Sequence, residues 1–110
     1  MTPPLITLEE HFFSSRVMHN MEGDYQEQYK HVPGLKEKLS DLGSMRLDDM
    51  EKGKVTLQVI SHAPTPGAPS AEDCTHANDE LAKAVSENQK RFAGFAVLPC
   101  LLYTSDAADE

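Results

Sequence analysis

The apolar positions of this chain change their period several times, and each change marks an element. Across Leu5-Ile6-Thr7-Leu8-Glu9-Glu10-His11-Phe12 apolar and polar residues alternate, with Ile6 and Leu8 on one side and Thr7, Glu9 and His11 on the other. That is the period of a strand, in which successive side chains leave opposite faces. The pattern predicts a strand over residues 5–12, entered through Pro3 and Pro4, where a missing N–H does little harm. Residues 14–34 lose the period. His19, Asn20, Gly23, Asp24, Pro33 and Gly34 mark a loop there, broken by a short helix around Tyr25 to Tyr29. Leu35, Leu39 and Leu42 then return at helical spacing until Gly43. Ser44 is placed to cap a further helical stretch through Leu47 and Met50, closed by Gly53.

The run Val55-Thr56-Leu57-Gln58-Val59-Ile60-Ser61-His62 is rich in β-branched residues and predicts a second strand. The proline-rich stretch 63–69 excludes regular structure. Ser70 followed by Asp73 is a capping pair that opens the clearest helix, which should run to about Asn88. Cys74, Ala77, Leu81, Ala84 and Val85 form its buried stripe, and Glu72, Asp73, Glu80, Lys83 and Glu87 stay in water. Phe92-Ala93-Gly94-Phe95-Ala96-Val97-Leu98-Pro99 is apolar throughout and predicts a third strand covered on both faces. The order β, helices, β, helix, β implies an α/β fold with a parallel sheet and right-handed crossovers. Three strands cannot bury both faces of such a sheet, and a closed barrel of this kind takes about 250 residues. The chain therefore reads as an unfinished unit over residues 1–99.

Composition narrows the class. The chain has 110 residues, with 18 acidic against 10 basic side chains and a formal charge of −8. Nucleic-acid binding needs a basic face, so this balance argues against it. No apolar run approaches the roughly 20 residues of a membrane span. The first ten residues lack the basic and apolar regions of a signal peptide, which makes the cytoplasm the expected address. Two cysteines, Cys74 and Cys100, make no disulfide framework. The last eleven residues, Cys-Leu-Leu-Tyr-Thr-Ser-Asp-Ala-Ala-Asp-Glu, are similar to the translation of a transposase adapter used in preparing sequencing libraries. Residues 100–110 are therefore expected to be non-native, with the natural reading frame continuing past Pro99. Without Asp106, Asp109 and Glu110 the balance is 15 acids against 10 bases, or −5.

Glu9 and His11 are the sharpest local signal. Two residues apart on a strand, they leave the same face about 6–7 Å apart along the backbone. A carboxylate oxygen and an imidazole nitrogen can there converge on one divalent ion, each at about 2.0–2.2 Å for zinc. The same spacing also arises by chance on exposed strands without a metal. Ile6 and Leu8 would face covering helices, and Glu10 would point away as a rim group.

The wider sequence adds a resemblance. Ile6-Thr7-Leu8-Glu9-Glu10-His11-Phe12 resembles the opening strand of the amidohydrolase-related family, in its branch of non-oxidative decarboxylases. Arg46-Leu47-Asp48-Asp49-Met50, Gln58-Val59-Ile60-Ser61-His62, Ala77-Asn78-Asp79-Glu80-Leu81-Ala82 and Arg91-Phe92-Ala93-Gly94-Phe95-Ala96-Val97-Leu98-Pro99 follow in the family's order, over about residues 5–99. The resemblance implies the N-terminal part, about three β/α units, of a TIM barrel that holds one divalent metal, zinc or manganese. It places two ligands on Glu9 and His11. The remaining ligands, a histidine and an aspartate, have no counterpart before Pro99, nor does a proton donor, so no catalytic group is assigned within the chain. The implied reaction is metal-assisted loss of carbon dioxide from a small aromatic or unsaturated carboxylic acid, in a parent that forms a homo-oligomer. Two alternatives stay open: metal-dependent hydrolysis of an amide or lactone, and a truncated polypeptide without activity that exposes a sheet edge.

If Val55, Leu57 and Val59 face the helices, then Gln58, Ile60 and His62 look into the barrel, and His62 sits at its mouth within reach of a substrate carboxylate or phenolic oxygen. A locally hydrogen-bonded loop histidine is the alternative. His19, His31 and His76 are expected in solvent. Asn78 and Arg91 are expected to be structural, and Cys74 to be a small buried hydrophobe.

Overall fold

The β-branched run at the middle of the chain forms the centre of a sheet rather than its edge. In a computed structural model, which describes residues 3–17, 25–64 and 69–99, the strand order is β1-β2-β3 and both pairings are parallel. The elements are β1 (Ile6–Phe12), α1 (Gln26–His31), α2 (Leu35–Ser40), α3 (Ser44–Lys52), β2 (Leu57–His62), α4 (Ala71–Glu87) and β3 (Phe92–Gly94). The predicted strands and helices are present in the predicted order. Residues 100–110, His19 and the centre of the proline-rich loop lie outside the described residues.

One face of the sheet carries the core. Phe12, Ile60 and Phe92 from the three strands meet Met50 of α3 and Ala77, Leu81 and Ala84 of α4. Burying each of the large side chains contributes about 1.5–3 kcal/mol. α4 begins as its sequence predicts, with the Ser70 hydroxyl accepting from the Asp73 backbone N–H at 3.0 Å. Leu81 of α4 lies directly on Gly94, where a Cβ would come within 2.7 Å of its Cδ2. Only glycine allows that approach. A second cluster, Phe13, Val17 and Ala63 with Tyr25 and Leu39 against it, closes the carboxyl ends of β1 and β2.

Four expectations need correction. Ser44 does not cap α3: Asp41 accepts from the N–H groups of Gly43 and Arg46 at 3.1 and 2.8 Å, and Ser44 is already helical. The third strand stops at Gly94 instead of running to Pro99. Both backbone groups of Val97 are taken by the Asn78 side chain, at 2.8 and 3.0 Å, which removes them from any ladder. Asn78 thereby has the helix-to-loop role its mid-helix position suggests. Ile6 and Leu8 face no helix and are 52 and 67% exposed. The cause is a register shift in β1: Thr7 pairs with Gln58 but Glu10 with Ile60, so an extra residue of β1 lies between them. Such a bulge breaks the two-residue alternation, and Thr7 and Glu9 no longer share a face.

The faces of β2 are also the reverse of expectation. Gln58, Ile60 and His62 are buried, while Leu57, Val59 and Ser61 alternate with them on the open side and are only half-buried. The side chains expected to look into a barrel are those the helices cover. Among the described residues no helix is long and apolar enough to cross a membrane.

Candidate metal-binding site at the end of the first strand

Beyond the bulge, the pairing fixes which way each side chain of β1 points. Glu10 and Phe12 pair with Ile60 and His62 on the covered face, and His11 pairs with Ser61 on the open one. Glu9, two residues before His11, returns to the open face with it. The bulge therefore preserves the neighbourly placement of Glu9 and His11 even though it displaces Thr7. Glu9 is exposed and His11 half-buried. Both line a cavity of about 400 Å³ at the free edge of β1, together with Glu10, Lys38, Leu39, Met45, Arg46, Asp49 and Gln58.

Arg46 governs the electrostatics beneath this cavity. It is 8% exposed, and its guanidinium donates to the carbonyl oxygens of Asp41 (2.7 Å), His11 (2.9 Å) and Lys38 (3.4 Å) and to Gln58 Oε1 (3.2 Å). Burial pushes the Arg46 pKa down, and the charges of Glu10, Asp41 and Asp49 push it back up. The guanidinium stays charged. Lys38 pairs with Asp49 at 3.4 Å at the rim. Sequence reasoning placed Arg46 only within a family motif and assigned it no role. Its signal was available: a cation at the third position of an amphipathic helix, beside Leu47 and Met50.

The structure does not bring His62 to this cavity. The residue is 9% exposed, and its ring packs edge-on against Phe12 and Phe13, with centroids 5.1 and 5.9 Å away. Nε2 accepts from the Ser14 N–H at 3.1 Å, and Nδ1 lies 2.8 Å from the Ala63 carbonyl. Two such partners require a neutral ring with its proton on Nδ1. Burial lowers its pKa, the Ala63 carbonyl raises it, and nearby His11 lowers it. Both nitrogens are thus engaged in joining the ends of β1 and β2. His31 and His76 are exposed as expected, and His31 sits 3.5 Å from Glu27. Cys74 is buried on the α4 stripe.

A carboxylate and an imidazole on one face, with no hydrogen bond or ion pair to either side chain among the described residues, fit a divalent cation as two of its ligands. Among the described residues no third histidine, cysteine or carboxylate joins them in a metal-sized group.

Comparison with known proteins gives this corner of the molecule its context. No protein-family model matches the chain. Decarboxylase orsB of Emericella nidulans is 47% identical over 111 residues, covering 99% of this chain and 34% of that protein. Gamma-resorcylate decarboxylase of a Polaromonas species is 32% identical over 100 residues, covering 86% of the chain and 30% of that enzyme. The chain is homologous to these decarboxylases. It spans about a third of the length of the curated relatives it matches. Among solved structures, a dihydroxybenzoic acid decarboxylase from Polaromonas with bound manganese and 2-nitroresorcinol superposes with a TM-score of 0.74 at 30% identity, over 90% of this chain and 31% of that one. The parallel sheet and helices of this chain thus match part of the TIM-barrel fold of such enzymes, as the motifs implied. In such barrels the carboxyl ends of the strands carry the active site, and Glu9 and His11 stand at that end of β1.

Proposed function

We propose that this stretch forms part of a non-oxidative, metal-dependent decarboxylase of a small aromatic carboxylic acid, and that Glu9 and His11 supply two ligands of one divalent metal. The observation that carries the reading is the placement of both side chains on the open face at the carboxyl end of β1. Manganese, present in the dihydroxybenzoic acid decarboxylase neighbour, is the proposed metal, with zinc as its competitor. When bound, such an ion supplies Lewis acidity and a template for a carboxylate and an adjacent oxygen. The residues present contribute a negatively charged oxygen donor from Glu9 and a neutral nitrogen donor from His11. Arg46 below offsets part of the charge of Glu10. The chemistry proposed is cleavage of the bond between ring and carboxylate, with a proton gained at the ring carbon.

The relatives that match are named decarboxylases, which favours loss of carbon dioxide over hydrolysis of an amide or lactone. The family resemblance adds to the proposal a homo-oligomer in the cytoplasm. We further propose that residues 100–110 are adapter-encoded, which the nucleotide sequence around codon 100 decides. The functional test is carbon dioxide release from dihydroxybenzoates by the complete reading frame, with and without Mn²⁺. Release expected with the metal should fall at least a hundredfold in Glu9→Gln or His11→Asn, about 2.7 kcal/mol of barrier. Turnover of lactones alone, or full activity in both variants, would overturn the reading.

A further inference from the structure

Among the described residues β1 pairs with a strand on one side only, that of β2. The Phe12 carbonyl accepts from the Ala63 N–H at 2.9 Å and so points towards β2. By alternation the His11 carbonyl points away from β2, at the free edge. Arg46 Nη2 reaches it at 2.9 Å, and the next outward group, the Phe13 N–H, donates to the Leu39 carbonyl at 2.9 Å. The connection through α2 and α3 thus closes over the end of β1 where the candidate ligands stand.

We infer that Arg46 is a positioning residue for the metal ligands: it fixes the His11 peptide and thereby sets where the His11 imidazole leaves the strand. The inference rests on the reading of Glu9 and His11 as ligands. Its physical basis is the bulge. An extra residue in β1 between Thr7 and Glu10 leaves the stretch through Leu8 and Glu9 without a fixed partner on β2. The relation between Glu9 and His11 is then set by what holds the strand beyond the bulge. Arg46 holds it at the His11 carbonyl itself, and ties that carbonyl to Asp41, Lys38 and Gln58 through one rigid planar group. Lysine carries the same charge at a single point and cannot span these four acceptors. A buried cation is also a poor way to gain stability alone, since a well-packed apolar residue often serves as well. Groups that orient a metal ligand from behind commonly change metal affinity by 10–100-fold.

The test uses the protein of the complete reading frame, selectively labelled with ¹³C and ¹⁵N, unaltered and as Arg46→Lys, with Glu9→Gln as the ligand control. Ile60 and Ala77 methyl signals report the fold, the His11 carbonyl shift and imidazole signals report its position, and MnCl₂ broadening of those signals reports binding. In Arg46→Lys the methyl signals should persist and the His11 carbonyl and ring signals should move. The Mn²⁺ concentration for half-broadening should rise roughly tenfold. Loss of the methyl signals in Arg46→Lys would assign Arg46 to stability alone and overturn the proposal. So would unchanged His11 signals with a midpoint within twofold of the original. If Mn²⁺ leaves His11 unaffected in the unaltered chain, or Glu9→Gln binds as well, the ligand reading fails. The shift of the His11 carbonyl in Arg46→Lys still decides whether Arg46 positions it.

Discussion

Two arginines fasten the two ends of this sheet, and they do so in different surroundings. Arg46 lies under the carboxyl end of β1, with three backbone carbonyls and the Gln58 amide as partners and almost no solvent. Arg91 lies at the amino end of β2, where it donates to the carbonyls of Val55 and Thr56, each at 3.0 Å, and meets Glu51 at 2.6 Å. Its side chain is 29% exposed and that of Glu51 is 69% exposed. Both arginines use the same fork to gather carbonyl groups that no strand among the described residues takes up. One fork is dry and touches the peptide of a candidate metal ligand. The other is wet and touches only the entry to a strand. In parallel barrels the carboxyl end serves chemistry and the amino end serves stability, and the two sites divide along that line.

The largest expected effect is on the dry site. Arg46→Met should remove the donors of three carbonyls and leave Glu10, Asp41 and Asp49 without their shared cation, at a cost of roughly 3 kcal/mol in urea unfolding. Arg91→Met should cost about 1 kcal/mol, because water can reach the carbonyls it abandons. Glu51→Gln should cost less than about 0.5 kcal/mol, since an exposed pair contributes little. Arg91→Met should also leave Mn²⁺ broadening of His11 unchanged. Equal losses from the two arginines, or a metal effect from Arg91, would erase the distinction between the ends.

The same two ends show what could be read from the sequence. Element order, the Ser70 cap, the α4 stripe and the placement of Glu9 beside His11 were all legible, because each depends on residues a few positions apart. What was not legible depends on pairing. The bulge in β1 leaves no mark in its own sequence, yet it turns Ile6 and Leu8 outward. Val55, Leu57 and Val59 looked like the buried side of β2 because they are apolar. Burial went instead to Gln58, Ile60 and His62, whose polar members are satisfied by Arg46 and by the Ser14 N–H. A polar side chain reads as exposed until its partner, 12 or 48 residues away, is known. Asp41 hid in the same way, capping α3 from outside the expected position.

The smallest effect separates the ends by pH. The carboxyl end is held by His62 as well as Arg46, and among the described residues Arg91 has no histidine partner. His62 must stay neutral to accept from Ser14, and burial holds its folded pKa below the usual value. The unfolded chain therefore takes up a proton at a higher pH than the folded one. The contribution of His62 to stability is complete above the unfolded pKa of about 6.5 and is lost as the pH falls from there through the lowered folded value. Urea midpoints should fall between about pH 7.5 and pH 5.5 in the unaltered chain, and fall less in His62→Gln. Arg91→Met should show the same dependence as the unaltered chain, displaced to lower urea. Identical slopes in the unaltered chain and His62→Gln would mean that other groups carry the dependence.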